Sequence, residues 1–168
     1  MMNTVRSWRN KSSLQLRAGV KGFTLLETLI TAGILMVTVV GLMELFAYCA
    51  QLSEMAGNLT SALSEAQDKM EEIRNHTYAD IATDYVSGGS PGNTFNLTQL
   101  TGKGVIYVDA SNTDLLKIEI DVSWRNNRTD RVVGEDLDLD GIIDTGEDVD
   151  SDGKLDSPVK LITYIAEK

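Results

Sequence analysis

Lys21-Gly22-Phe23-Thr24-Leu25-Leu26-Glu27 opens an apolar run that continues to Cys49. The stretch before Gly22 is rich in basic and polar residues, and from Phe23 onward the run carries only two charges, Glu27 and Glu44. A helix over residues 23–49 is roughly 40 Å long at about 1.5 Å per residue, enough to cross a hydrocarbon core of about 30 Å. The stretch 23–49 is therefore predicted to be a transmembrane helix with a carboxylate near its cytoplasmic end.

Residues 1–22 hold five basic side chains (Arg6, Arg9, Lys11, Arg17, Lys21) and no acid. The chain has 15 basic and 25 acidic groups, so the remainder keeps 10 basic against 25 acidic, a net of −15. The basic end should stay in the cytoplasm and the acidic part cross the inner membrane, to the periplasm or a cell-surface filament. Such an acidic surface disfavours phosphate backbones, whose binding relies on Lys and Arg, so no direct nucleic-acid partner is expected. Cys49 is the one cysteine, which excludes an intramolecular disulfide, and its position suits a small buried apolar group.

A secretory signal places its cleavage site after the apolar region, whereas Gly22 comes before it. KGFTLLE resembles the type IV prepilin (class III) signal shared by type IV pilins and type II secretion pseudopilins. The resemblance implies that a prepilin peptidase removes leader 1–22 by cutting after Gly22 and methylates the new amino terminus at Phe23. It also implies that Glu27 pairs with a free N-terminal amine during filament assembly. Physical chemistry agrees, since a carboxylate in an apolar span is costly without a partner. An amine at Phe23 is one helical turn away, or within reach from a neighbouring subunit, and a dry site strengthens the pair. The span has no proline, so Gly33 and Gly41 are its possible weak points.

Beyond Cys49 the run becomes a stripe. Leu52, Ala56, Leu59, Leu63, Ala66, Met70 and Ile73 advance in steps of four and three, one face of a helix. Glu54, Asn58, Glu65, Asp68, Lys69, Glu72 and Arg74 fall on the opposite face. One helix from Phe23 to about Asn75 is predicted, its second half packed on a sheet; two Ala in the stripe weaken the rival coiled-coil reading. His76 reads as a surface residue rather than a ligand, with no second ligand at helical spacing.

Ser87 to Asn93 (SGGSPGN) is turn chemistry, and 78–103 reads as the longest loop-like region. Strand patterns follow at Val105–Val108, at Leu116–Trp124 with one face buried, at Thr129–Val133 after an Asn126-Asn127 turn, and at Val159–Ala166. Val122-Ser123-Trp124-Arg125 together with Leu161–Ala166 looks like minor pilins of the PilV class and their pseudopilin relatives. The predicted fold is α+β and pilin-like: one long N-terminal helix, transmembrane then amphipathic, packed on a C-terminal antiparallel sheet of about four strands. The exported globular domain is placed at 50–168.

Ten of the 25 acids fall between Glu135 and Asp156, a density that would disorder a loop unless a cation neutralised it. Asp136, Asp138, Asp140, Gly141, Asp144 and Glu147 match the D-x-D-x-D-G-x-x-D-x-x-E calcium-loop pattern. Calcium takes six to eight oxygens at about 2.3–2.6 Å. Alternating acids supply several, Ile142 a backbone carbonyl and Glu147 a closing pair. A second copy twelve residues on offers Asp148, Asp150, Asp152, Asp156 and the carbonyl of Lys154. It has Val159 in place of the closing Glu and is predicted to bind more weakly. The calcium-binding insertion is set at 135–158, and magnesium fits less well because it keeps its water.

The leading expectation is a minor pilin or pseudopilin of a type IV pilus or type II secretion filament, with a structural and assembly role. Its expected partners are other pilin or pseudopilin subunits through the N-terminal helix, the prepilin peptidase, and the inner membrane before assembly. The alternative is a membrane-tethered calcium-dependent binding module that does not polymerise. No Ser/His/Asp set, Cys/His pair or His cluster is legible, so neither an enzyme nor a small-molecule substrate is expected.

Overall fold

The computed structural model describes residues 22–112 and 114–167. The predicted leader therefore lies outside the described residues except for Gly22. The first helix, α1, is Leu25–Arg74, 50 residues or about 75 Å of helix at about 1.5 Å per residue. Thr24 starts it, its Oγ1 accepting from the Glu27 backbone N–H at 3.2 Å. The chain divides into two compact units, up to Leu45 and from Phe46.

The first unit is the leading part of α1. Its residues are exposed throughout, Glu27 included. An 18-residue window of α1 has a mean hydropathy of 2.2, so by length and composition the helix is able to cross a membrane.

In the second unit α1 leads to a short helix, α2 (Tyr78–Asp84), and a five-stranded antiparallel sheet. The strands are β1 (Thr94–Asn96), β2 (Gly102–Asp109), β3 (Leu115–Arg125), β4 (Val132–Val133) and β5 (Val159–Ala166). β3 pairs with β2 along one edge, while β4 and β5 share its other edge end to end. Val133 lies opposite Trp124 and Val159 opposite Val122. The acidic insertion thus leaves and rejoins the sheet at neighbouring positions.

One face of the sheet (Ile106, Leu116, Ile118, Ile120, Val122, Trp124, Val159) forms a single core with Ala62, Ala66, Met70 and Ile73 of α1 and with Ile81 and Tyr85. The α+β architecture of one long helix on an antiparallel sheet is as predicted.

Details differ from the sequence reading for physical reasons. Of the predicted stripe only Ala66, Met70 and Ile73 are buried, joined by Ala62, whereas Leu52, Leu59 and Leu63 stay exposed. Glu65, assigned to the polar face, is buried because it accepts from the Thr98 and Gln99 backbone N–H groups at 2.6 and 2.9 Å. Residues 78–103 contain α2 and β1 rather than loop alone, and the strand expected at Thr129–Val133 shrinks to two residues. His76 is half-buried, its Nε2 2.8 Å from Asp84 Oδ2 and its ring edge-on to Tyr85. Cys49 is exposed in the isolated chain.

The largest difference concerns β3. From Ile118 to Trp124 both faces are buried, because the insertion folds back over the face that α1 leaves open. Leu155 is buried there, its N–H donating to Tyr107 Oη at 2.7 Å, and Ser157 Oγ donates to the Val122 carbonyl. Gly134, with φ +116, turns the chain onto this face, and a Cβ there would collide with the Ser123 side chain. Gly134→Ala should therefore lose more stability in urea unfolding than Gly146→Ala, which meets open space at φ +94. Each carries about 1–3 kcal/mol of backbone strain, and only Gly134→Ala adds the clash.

Candidate metal centre in the acidic insertion

The insertion is built from one turn used twice. In the first copy, Asp140 N–H donates to Asp136 Oδ1 (3.1 Å) and Asp138 Oδ1 (3.2 Å), Gly141 N–H to Asp136 Oδ2 (3.0 Å) and Ile142 N–H to Asp140 Oδ1 (2.7 Å). In the second copy, Asp152 N–H donates to Asp148 Oδ1 (3.1 Å) and Asp150 Oδ1 (3.3 Å), Gly153 N–H to Asp148 Oδ2 (3.0 Å) and Lys154 N–H to Asp152 Oδ1 (2.9 Å). The backbone repeats as well, with φ +64 and +61 at Leu139 and Ser151 and φ +79 and +81 at Gly141 and Gly153. Short aspartate side chains satisfy the N–H groups of the turn locally, which is what makes it compact.

Glu147 closes the first copy from the far end. Its Oε1 accepts from Leu137 N–H at 2.8 Å and its Oε2 from Asp144 N–H at 3.1 Å. Asp136 and Glu147 are both buried. Burial raises the Asp136 carboxyl above its ordinary range, the backbone donors from Gly141 and Asp140 lower it, and the Glu147 charge raises it again. Carboxylate oxygens of Asp136, Asp138 and Glu147 lie within 4.8 Å of one another, as do those of Asp138, Asp140 and Asp144. In the second copy Asp148, Asp150 and Asp152 converge within the same distance. Each oxygen retains lone pairs beyond its N–H contact, so these groups are able to hold a metal ion.

Asp156 is placed elsewhere. It groups with Glu119 and Asp121 of β3, and its Oδ1 accepts from Lys160 Nζ at 2.5 Å. Its N–H donates to Glu135 Oε2 while Glu135 N–H donates to the Asp156 carbonyl, at 3.0 and 2.9 Å, which closes the base of the insertion.

Alternation along Leu116–Trp124 with one face buried puts Glu119 and Asp121 on the solvent side of a strand. They lie beneath the insertion instead. Glu119 meets Lys154 at 2.6 Å, Lys117 at 3.1 Å and Lys160 at 3.1 Å. Burial would raise its carboxyl, but hydrogen bonds from Lys154, Lys117 and Lys160 bring it down to about 2. Asp121 is 1% exposed with no hydrogen-bond partner in the described chain. Burial, with Glu119 and Asp156 nearby, pushes it up to about 7 against the pull of Lys160. Alternation along β3 shows these acids sharing a face, but only the register with β5, where Asp121 lies opposite Lys160, reveals their partners.

Comparisons with protein-family descriptions, curated proteins and solved structures found no match to this chain.

The two carboxyls have opposite pH signatures. Glu119 sits below its unfolded value near 4.5, so its contribution is present above that pH and lost as pH falls toward 2. Asp121 sits above its unfolded value near 3.8, so the fold favours its neutral form and loses stability as pH rises through about 7. Asp121→Asn should accordingly raise Tm at about pH 8 and change it little near pH 4. Glu119→Gln should cost about 3 kcal/mol at neutral pH by leaving three lysines short of a partner. Thermal melts of both variants across pH check this; a gain for Asp121→Asn at low pH only would contradict it.

Proposed function

We propose that this chain is a minor pilin or pseudopilin: a subunit that is held in the inner membrane by α1, then leaves it to pack that helix among homologous helices in a filament. The reading rests chiefly on KGFTLLE standing at the head of a 50-residue helix whose first part is apolar and exposed around Glu27. In this reading a prepilin peptidase cuts after Gly22 and methylates Phe23, and Glu27 receives the amine of a neighbouring subunit. A carboxylate in a lipid-facing helix is costly until a cation meets it, which gives the helix a reason to prefer a filament. Glu27→Leu should then impair incorporation into sheared filaments while leaving membrane insertion and cleavage intact. Unchanged incorporation would favour a tethered module that does not polymerise.

The insertion is assigned to calcium. The first loop offers Asp136, Asp138, Asp140, Asp144 and Glu147 with the Ile142 carbonyl, an all-oxygen set that suits a large, hard cation. The second offers Asp148, Asp150 and Asp152 with the Lys154 carbonyl; with Asp156 turned toward Lys160, it is the weaker site. Bound there, calcium supplies positive charge where ten acids crowd, and its role is structural. Since Lys154 and Leu155 tie the second loop to the sheet, the ion would hold a whole layer in place. Calcium at about a hundredfold over Kd should add about 2.7 kcal/mol, a Tm rise of roughly 10 °C in the detergent-solubilised chain. Chelator should remove the rise, and Asp136→Asn with Glu147→Gln should abolish it. A calcium-independent melt of the native sequence would refute the assignment.

A further inference from the structure

The charges beyond the leader are segregated. Three of the four arginines after residue 22 fall at positions 125, 128 and 131, immediately before the segment with ten acids. In space two of them, Arg128 and Arg131, line a groove of about 470 Å³ between α1 and the β3–β4 turn, together with Leu52, Glu54, Met55, Val132 and Val133 among others. Leu52 belongs to the predicted apolar stripe and Met55 follows three residues on, yet they are 48% and 51% exposed. Arg128 is held by Glu54 at 3.1 Å, whereas Arg131 makes no ion pair among the described residues. The groove is thus largely apolar, with the Arg128–Glu54 pair and the positive charge of Arg131 at its rim.

The insertion presents the complement. Val149 is 77% exposed, the most open apolar side chain of the insertion, and stands between Asp148 and Asp150. Two divalent ions would cancel only four of the ten acidic charges nearby, so this apolar tip stays anionic with both loops filled. The groove lies on the helix side of the sheet and the insertion covers the other face. One chain therefore carries both halves of the contact on different surfaces.

We propose that the groove at Leu52, Met55, Val132 and Val133 receives the Val149 loop of a second copy of this chain, with Arg128 and Arg131 facing its acids. A contact between two unlike patches is heterologous and continues from copy to copy instead of closing a pair. Opposite charges at its rim select the register and speed encounter more than they add affinity. The inference rests on the filament reading and names the contact between exported units within it.

The test uses the full chain in its membrane with Cys49→Ser. Copies carrying Val149→Cys are mixed with differently tagged copies carrying Thr129→Cys, a residue that lines the groove, and treated with a short bis-maleimide. A mixed-tag product is expected, and it should be lost when the groove copy also carries Arg128→Glu and Arg131→Glu. Absence of the product, although both cysteines react with a monofunctional maleimide, overturns the inference; so does a product indifferent to charge reversal. Repeating the mixture with Glu27→Leu separates the two readings. If that variant keeps the mixed-tag product and assembles normally, the filament reading falls while the contact stands. If wild-type assembly depends on Glu27 but no product forms, the contact alone falls.

Discussion

Glu119 is a carboxylate buried on the face of the sheet away from the helix, and it gathers three ammonium groups from β3, the insertion and β5. Desolvating such a charge is expensive, and it is tolerated only where several donors converge with good geometry. The consequence reaches well beyond one ion cluster. Lys154 ties the second acidic loop to the sheet, and Lys160 reaches from β5 toward Asp156 at the base of the insertion. A segment with the composition of a solvated loop is thereby held as a layer.

The second unit has the helix on one face of the sheet and two repeated aspartate turns on the other. Between them β3 is shielded on both sides, by hydrocarbon toward α1 and by Leu155, Tyr107 and paired charges toward the insertion. Because β4 and β5 share one edge of β3, the insertion starts and ends at neighbouring positions. Its long excursion therefore leaves the strand order undisturbed. In the proposed function this division has a use: one face serves the helix that enters a filament, the other holds a cation-stabilised surface.

The helix is divided in a similar way. From Leu25 to Leu45 it has no covered side, from Phe46 to Leu59 it still shows apolar groups, and only around Ala62–Ile73 does it bury a face. Ala62 and Ala66 are fully buried in the core that the helix shares with the sheet. Leu52 and Met55 remain open, in the stretch where the groove with Arg128 and Arg131 is found.

Sequence alone determined the long helix, its apolar first half, the main strands and the repeated aspartate pattern. These depend on local rules, namely the periods of 3.6 and 2 and turn chemistry confined to neighbours in the chain. Tertiary structure alone decided that Glu65, Glu119 and Asp121 are buried, that Asp156 faces Lys160 rather than the second loop, and that the outer face of β3 is covered. A charged residue in an alternating strand is most simply placed toward water. Its true surroundings depend on what the chain brings over it, here a segment tens of residues away in sequence. Periodicity assigns a side to each residue, and only long-range packing decides whether that side meets solvent.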